Sequence, residues 1–247
     1  MLSVNFTDMI SRDFISKLLI WRIKHIKSPT FVIILSVVIG ILAGLAAVVL
    51  KGTVHYIQYF LKSGFLPNYT YFLYPLIGIV LTVIISRYFF KEELGHGITD
   101  IIYSISKKLS LVKQSKIYSR MITSAVTVGF GGSVGLEAPI VVTGSAIGSN
   151  VSRFMHMNYN HRTLLVGCGA AASISAIFNS PIAGVIFCFE VILTQITIKG
   201  FIPLLIASVS GSIVSLALSG EEILFSFDLK DTFKASDTPY YLSLIHI

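Results

Sequence analysis

Two apolar runs, 31–50 and 71–90, dominate the first part of the chain. Each meets the length of about 20 residues that a helix needs to cross about 30 Å of hydrocarbon. A third run, 202–218, nearly reaches it. Between them, 121–198 is equally apolar, but Gly, Ser, Asn and Pro cut it into pieces of about 12 to 18 residues. Short, interrupted apolar helices are the pattern of transporters and channels that build an ion site from broken helices. The expected fold is therefore an all-α polytopic membrane protein.

Composition supports that class. Of 247 residues, 54% are hydrophobic and 13% charged, against roughly 25% charged in soluble domains. Mean hydropathy is +0.81. The net charge of +7 is spread over the flanks of the apolar runs and forms no nucleic-acid patch. In the first 29 residues, 13–26 sets Phe14, Leu18, Trp21 and His25 on one helical face, with Arg22 and Lys24 off it. This arm (1–29) reads as an amphipathic helix lying along the inner membrane surface. Seven basic residues fall between Arg87 and Arg120, whereas the loop read at 51–68 holds only Lys51 and Lys62. The positive-inside rule then puts the N-terminus and the 87–120 loop in the cytoplasm. A multi-pass protein of the cell membrane, of bacterial plasma-membrane type, is expected. Cys168 and Cys188 lie in apolar stretches and read as buried thiols. The first apolar run starts too late and runs too long for a cleavable signal.

Three breaks carry the candidate chemistry. The first, LGHGITD at 94–100, allows a tight turn at Gly95 and Gly97. Thr99 or Asp100 could cap a helix at 101–107, and the turn's free N–H groups could meet an anion. The second is GFGGSVGLEAPIVVTGSAIGSN at 129–150. Glu137 is the only charge between Arg120 and Arg153. A lone carboxylate in hydrocarbon costs roughly 3 kcal/mol, so such groups mark cavities and ion paths. Pro139 suits the first turn of the helix that follows. A macrodipole cap would explain an acid there, but not its isolation in so long an apolar stretch. Gly144 and Gly148, four apart, predict close helix packing. The third break, Asn179-Ser180-Pro181, parts a small-residue helix at 167–178 from one at 182–193; Asn179 or Ser180 reads as an N-cap and Pro181 as the first helical residue. Glu190 is alone between Arg162 and Lys199, and reads as a buried structural acid.

These segments resemble one family. GSVGLEAPIVVTGSAIGS resembles the signature of CLC chloride channels and proton/chloride antiporters, usually G-[KR]-E-G-P followed by a small-residue helix. LGHGITD resembles the family's G-S-G-I-P-E anion motif. GCGAAASISAIFNSPIAGVIFCFEV resembles its G-A-A-A-G-x-A-x-A-F-x-A-P segment, which ends in paired acids. The three occur in the family's order, over about residues 30–240. The resemblance implies a CLC-type bundle of tilted and broken helices, with 30–241 as the first of two inverted repeats. The chain stops where a new apolar run begins, so it is expected to be a fragment. Its closing LSLIHI looks like adapter read-through, which puts the native status of 242–247 in question.

By that resemblance Glu137 is the gating glutamate. An anion site is implied at His96, Gly97, Ile98, Gly135, Leu136, Glu137 and Ala138, with the N–H groups of 131–138 facing it. Pro139, Asn179, Pro181 and Glu190 are implied as helix-break or structural residues. The implied partners are chloride or a similar small anion, protons, the lipid bilayer and a second copy in a homodimer. No metal, cofactor or nucleic acid is implied. Several positions depart from the motifs. His96 stands at the usual serine, Thr99 at the motif proline, Leu136 at the usual Lys or Arg, and Ala138 at glycine. Val191 stands at the second acid, which serves antiporters as an inner proton relay. Valine cannot carry a proton, which favours a passive channel over an antiporter with another proton route. An enzyme is not expected: the six histidines form no HxxxH or HExxH pattern, and a passive scaffold would not need lone acids at helix breaks.

Overall fold

The computed structural model describes residues 28–62, 73–91, 97–193 and 198–220, together with Pro239. The readings for the amphipathic arm before residue 28, for His96 and for 242–247 lie outside the described residues. The described residues are helical, with no strand among them.

Helix α1 runs Ser28–Lys62, 35 residues, without interruption. At 1.5 Å per residue that is about 52 Å, well beyond the hydrocarbon thickness. The loop expected to start at Lys51 is therefore helix. Its apolar positions are split by face: Leu35, Ile39, Ala43, Ala47 and Leu50 are buried, while Ile34, Val38, Leu45 and Val49 are exposed.

Helix α2 is Tyr74–Ile84, with a π turn at Ile85–Phe90 completing the apolar run. Helix α3, Ile98–Lys107, starts three residues earlier than the capping reading placed it. Asp100 is inside its first turn, not at its cap. Helix α4 is Lys116–Gly129, α5 is Glu137–Phe154 and α6 is Tyr159–Phe178. Helix α7, Pro181–Phe187, continues as a π turn at Cys188–Ile192. Helix α8 is Ile198–Ser219, with Pro203 inside it. Three stretches are long and apolar enough to cross a membrane: Ser28–Leu61, Tyr159–Phe178 and Gly200–Ser219. Tyr74–Phe90 and Pro181–Ile192 are shorter apolar helices.

The core sits around α6, which packs against α1, α5, α7 and α8. Its residues 165–177 are all buried, so this small-residue stretch works inside the chain and offers no face to a second copy. It meets α5 backbone to backbone. A methyl group at Gly144 would overlap the Gly169 carbonyl, and one at Gly148 the Leu165 carbonyl. The pairing runs antiparallel, as the short 155–158 turn between the helices requires. Helix α8 lies along α1 by the same means, with Gly44 against the Gly211 backbone. The Leu109–Ser110 turn is fastened over α5: Ser149 Oγ donates to the Ser110 carbonyl at 2.7 Å and accepts from Val112 N at 2.9 Å.

Gly144→Val should push α5 from α6 and destabilise the bundle by about 1–3 kcal/mol through overpacking. The measurement is the melting temperature of the purified protein in detergent; an unchanged value would contradict the packing described.

Candidate functional site

The start of α5 is shaped by how α4 ends. Helix α4 stops at Gly129, and the chain turns back with Gly131 at φ +88°, a conformation that suits glycine. Gly131 N donates to Val128 O and Gly132 N to Thr127 O, closing the end of α4. Val134 N donates to Gly132 O. These three N–H groups are thus spent on the turn and do not face an anion, contrary to the expectation for Gly131, Gly132 and Val134. The N–H groups of Gly135, Leu136, Glu137 and Ala138 differ. Among the described residues they donate to no backbone carbonyl. They are the orphan donors at the start of a helix, and Pro139, inside the first turn, has no N–H to add.

Glu137 is the first residue of α5, following Leu136 at the N-cap. It is half-buried. Its side chain folds back over Gly135, where a methyl group would overlap its Oε2. The carboxylate therefore lies against the positive end of its own helix, where the macrodipole favours negative charge. Among the described residues it has no ion-pair partner.

The first break reaches the same place. Gly97 caps α3 at φ +57° and lies against Ala138: a Cβ at Gly97 would sit 3.6 Å from the Ala138 Cβ. Two helix starts are thus in contact. Ile98 packs into the main core and anchors the α3 start. Asp100 points away from the cap and pairs with Lys116 Nζ at 2.8 Å and Arg120 at 3.5 Å. It neutralises these cations in place of capping α3.

The third break lies at the same end of the bundle. The α5–α6 register that pairs Gly144 with Gly169 sets Glu137 level with Ala176. Ile140, Ala176 and Ile177 share one buried cluster, with Leu136 and Phe178 packed on it. Asn179 does not cap α7. It closes α6 in the left-handed conformation at φ 51°, and extended Ser180 precedes Pro181, the first residue of α7. Pro181 thus holds the position expected of it.

Glu190 does not join this group. It sits on the π turn after α7 and is exposed on the described chain, so it is not the buried acid that was expected. Val191 beside it is half-buried and packs on the main core. A cavity of about 540 Å³ opens at the far end, between the starts of α1, α6 and α8, with His161 and Asn160 among mostly apolar lining residues. It is remote from Glu137. Among the described residues no three His, Cys, Asp or Glu side chains gather to hold a metal.

The model of the voltage-gated chloride channel family matches residues 78–245. The chain belongs to the CLC family. A putative ClcB-like chloride channel protein of Ralstonia nicotianae is 27% identical over 219 residues, covering 83% of this chain and 51% of its own length. The H(+)/Cl(-) exchange transporter ClcA of Vibrio cholerae is 26% identical, with 88% and 49% covered. A crystal structure of a slow cyanobacterial Cl-/H+ antiporter superposes with a TM-score of 0.71 at 21% identity, over 86% of this chain and 52% of that one; this likeness shows the fold. The chain spans about half the length of the relatives it matches.

One residue near the site was missed by sequence reasoning. Lys51 is buried, and its Nζ donates to the Ala176 carbonyl at 3.2 Å. A basic residue just after a helix-length apolar run reads as a loop residue. The signal that could have found it is the apolar periodicity running past it to Val54.

Gly135→Ala tests the placement of the carboxylate. The added methyl should displace Glu137 from the α5 start without straining the backbone. Chloride flux through the complete protein should then vary less with pH than in the wild type; an unaltered profile would mean that Glu137 does not rest over Gly135.

Proposed function

We propose that this chain forms part of an anion pathway that carries chloride across the membrane, with Glu137 as its gate. The observation that carries this reading is the meeting of two helix starts, Gly97 against Ala138, around a lone carboxylate. Free N–H groups and macrodipoles at such a point attract a carboxylate or a small anion alike. A deprotonated Glu137 occupies the positive end as a tethered anion. Protonation removes its charge and leaves the place to a mobile one. Gly97, Ile98, Gly135, Leu136 and Ala138 build the walls, and His96 precedes them in sequence. Family membership makes chloride the leading anion.

Transport is channel-like in this reading, because Val191 stands where the motif's second acid would relay protons. Val191 packs on the core and cannot bind a proton. A second reading is proton-coupled exchange by another route. It is favoured by relatives named as H(+)/Cl(-) exchange transporters. We place the protein in the cell membrane with its N-terminus in the cytoplasm, assembled as a homodimer. The exposed apolar face of α8, with Ile202, Ile213 and Leu216, is one surface that suits that contact.

The gate is tested in the complete protein reconstituted into liposomes. Glu137→Gln should abolish the pH dependence of chloride efflux; a wild-type pH profile in that variant would refute the assignment. Proton coupling is tested separately by reversal potentials under a proton gradient. A potential set by chloride alone is expected, and stoichiometric proton movement would replace the channel reading with exchange.

A further inference from the structure

The three stretches long and apolar enough to cross a membrane, Ser28–Leu61, Tyr159–Phe178 and Gly200–Ser219, all begin around the cavity of about 540 Å³. Its walls come from the first turns of these helices and from the end of α7. A spanning helix begins where water gives way to hydrocarbon. The cavity therefore stands at the depth where lipid headgroups meet acyl chains. Its volume is that of a small-molecule site, for which the range is roughly 300–1,000 Å³.

The polarity of the lining changes with depth. Asn160 and His161 stand in the first turn of α6, the one exposed and the other half-buried. Thr163 also lines the cavity, but its hydroxyl is spent on the Tyr159 carbonyl and on Ser110. About a turn further in, the lining is Val32, Leu164 and Leu204, which form the main core or pack on it. Phe189 is braced by stacking on Phe201 of α8, with centroids 5.8 Å and planes 3° apart. Gly200 lines the cavity without a side chain. Among the described residues a Cβ there would meet only Leu164 Cδ1, at 3.1 Å.

The polar lip is rich in donors. Asn158 accepts from His161 N with Oδ1 and from Arg162 N with its carbonyl. The N–H groups of Tyr159 and Asn160 donate to no backbone carbonyl among the described residues. The side chains of Asn160 and His161 add further donors, at the positive end of the α6 macrodipole. At this end of α5 and α6 the charges are Arg153 and Arg162, while the acid Glu190 is exposed on the π turn. Water does not suit the inner part, because it needs two to four polar partners and the residues there are apolar. What suits the whole is an amphiphile, with hydrocarbon within and an oxyanion at the lip. We propose that the cavity holds one acyl chain of a bilayer phospholipid whose phosphate meets the start of α6. The lipid then bridges α1, α6 and α8 where they begin, and stabilises their packing by mass action.

The test uses the complete protein in detergent, titrated with dioleoylphosphatidylglycerol. It reads the melting temperature and, by native mass spectrometry, the lipid retained per chain. The wild type should retain one lipid and melt about 5 °C higher at saturation. Gly200→Leu puts a side chain into the cavity; it should melt like the lipid-free wild type and lose both the retained lipid and the rise. Asn160→Ala combined with His161→Ala removes donors to the phosphate and should raise the half-saturating lipid concentration by about three- to tenfold. Dioleoylglycerol, which lacks the phosphate, should bind the wild type as weakly. Retention and a rise that survive in Gly200→Leu would mean surface lipid only and overturn the proposal. If Gly200→Leu fails to fold, unchanged half-saturation in the Asn160 and His161 variant overturns it. Saturation by oleic acid at lower concentration than by the phospholipid would assign the cavity to a free fatty acid instead. A lipid response that emerges only after removal of residues 1–27, or only after dissociation to single copies, would assign it to the chain's own N-terminal arm or to a second copy.

Discussion

The backbone contact between α5 and α6 fixes the rest of the arrangement. Gly144 and Gly148 present no side chain, so the Gly169 and Leu165 carbonyls approach where a methyl would stand. That approach sets the register of the two helices. The register places the first residue of α5 level with the last turn of α6. Without it, Glu137 and the Asn179–Pro181 break would be separate local features. With it, one helix starts where its neighbour ends, and opposite poles of two macrodipoles lie side by side.

The ends then have to be satisfied in an apolar bundle, where unpaired backbone groups cost several kcal/mol each. The chain solves the two ends differently. The end of α4 is closed by its own turn, which takes up Gly131 N and Gly132 N. The end of α6 is closed partly by Asn179 and partly by side chains from α1 and α8 that reach the Ala176 carbonyl. The start of α5 has no such closure among the described residues. Four successive N–H groups and a carboxylate are left there, beside an α3 start that has no side-chain cap either. The local surplus of positive potential follows from this difference.

Much of this was legible in the sequence. Glu137 and Pro139 in the first turn of a helix, Pro181 opening another, and the fragmentation of 121–198 all followed from glycine, proline and isolation of charge. The unread parts share a cause: they depend on which neighbour a side chain meets. Lys51 looked like a loop residue because a charge after 20 apolar positions usually marks the membrane surface. The helix continues because Leu50 and Val54 have a buried cluster to pack on. Asp100 had the position and chemistry of a cap, but two cations on α4 hold its carboxylate. The turn at 129–135 was visible as glycine-rich, yet which N–H groups it consumes depends on its handedness.

Glu137 and Glu190 show how far the argument from isolated charge extends. Each is alone in a long apolar stretch, and insertion cost weighs on both alike. Their surroundings separate them. Glu137 follows a glycine turn, begins a helix and lies against free N–H groups, with the start of α3 in contact. Glu190 sits on a π turn at the far end of α7, where the preceding residues' donors are already used within the helix, and its side chain is exposed. A carboxylate at the first position can compete with a mobile anion for the same dipoles; one at the last turn meets the negative pole and repels an anion. The isolation of a charge identifies an expensive residue. The backbone polarity beside it decides whether that residue can serve as a gate.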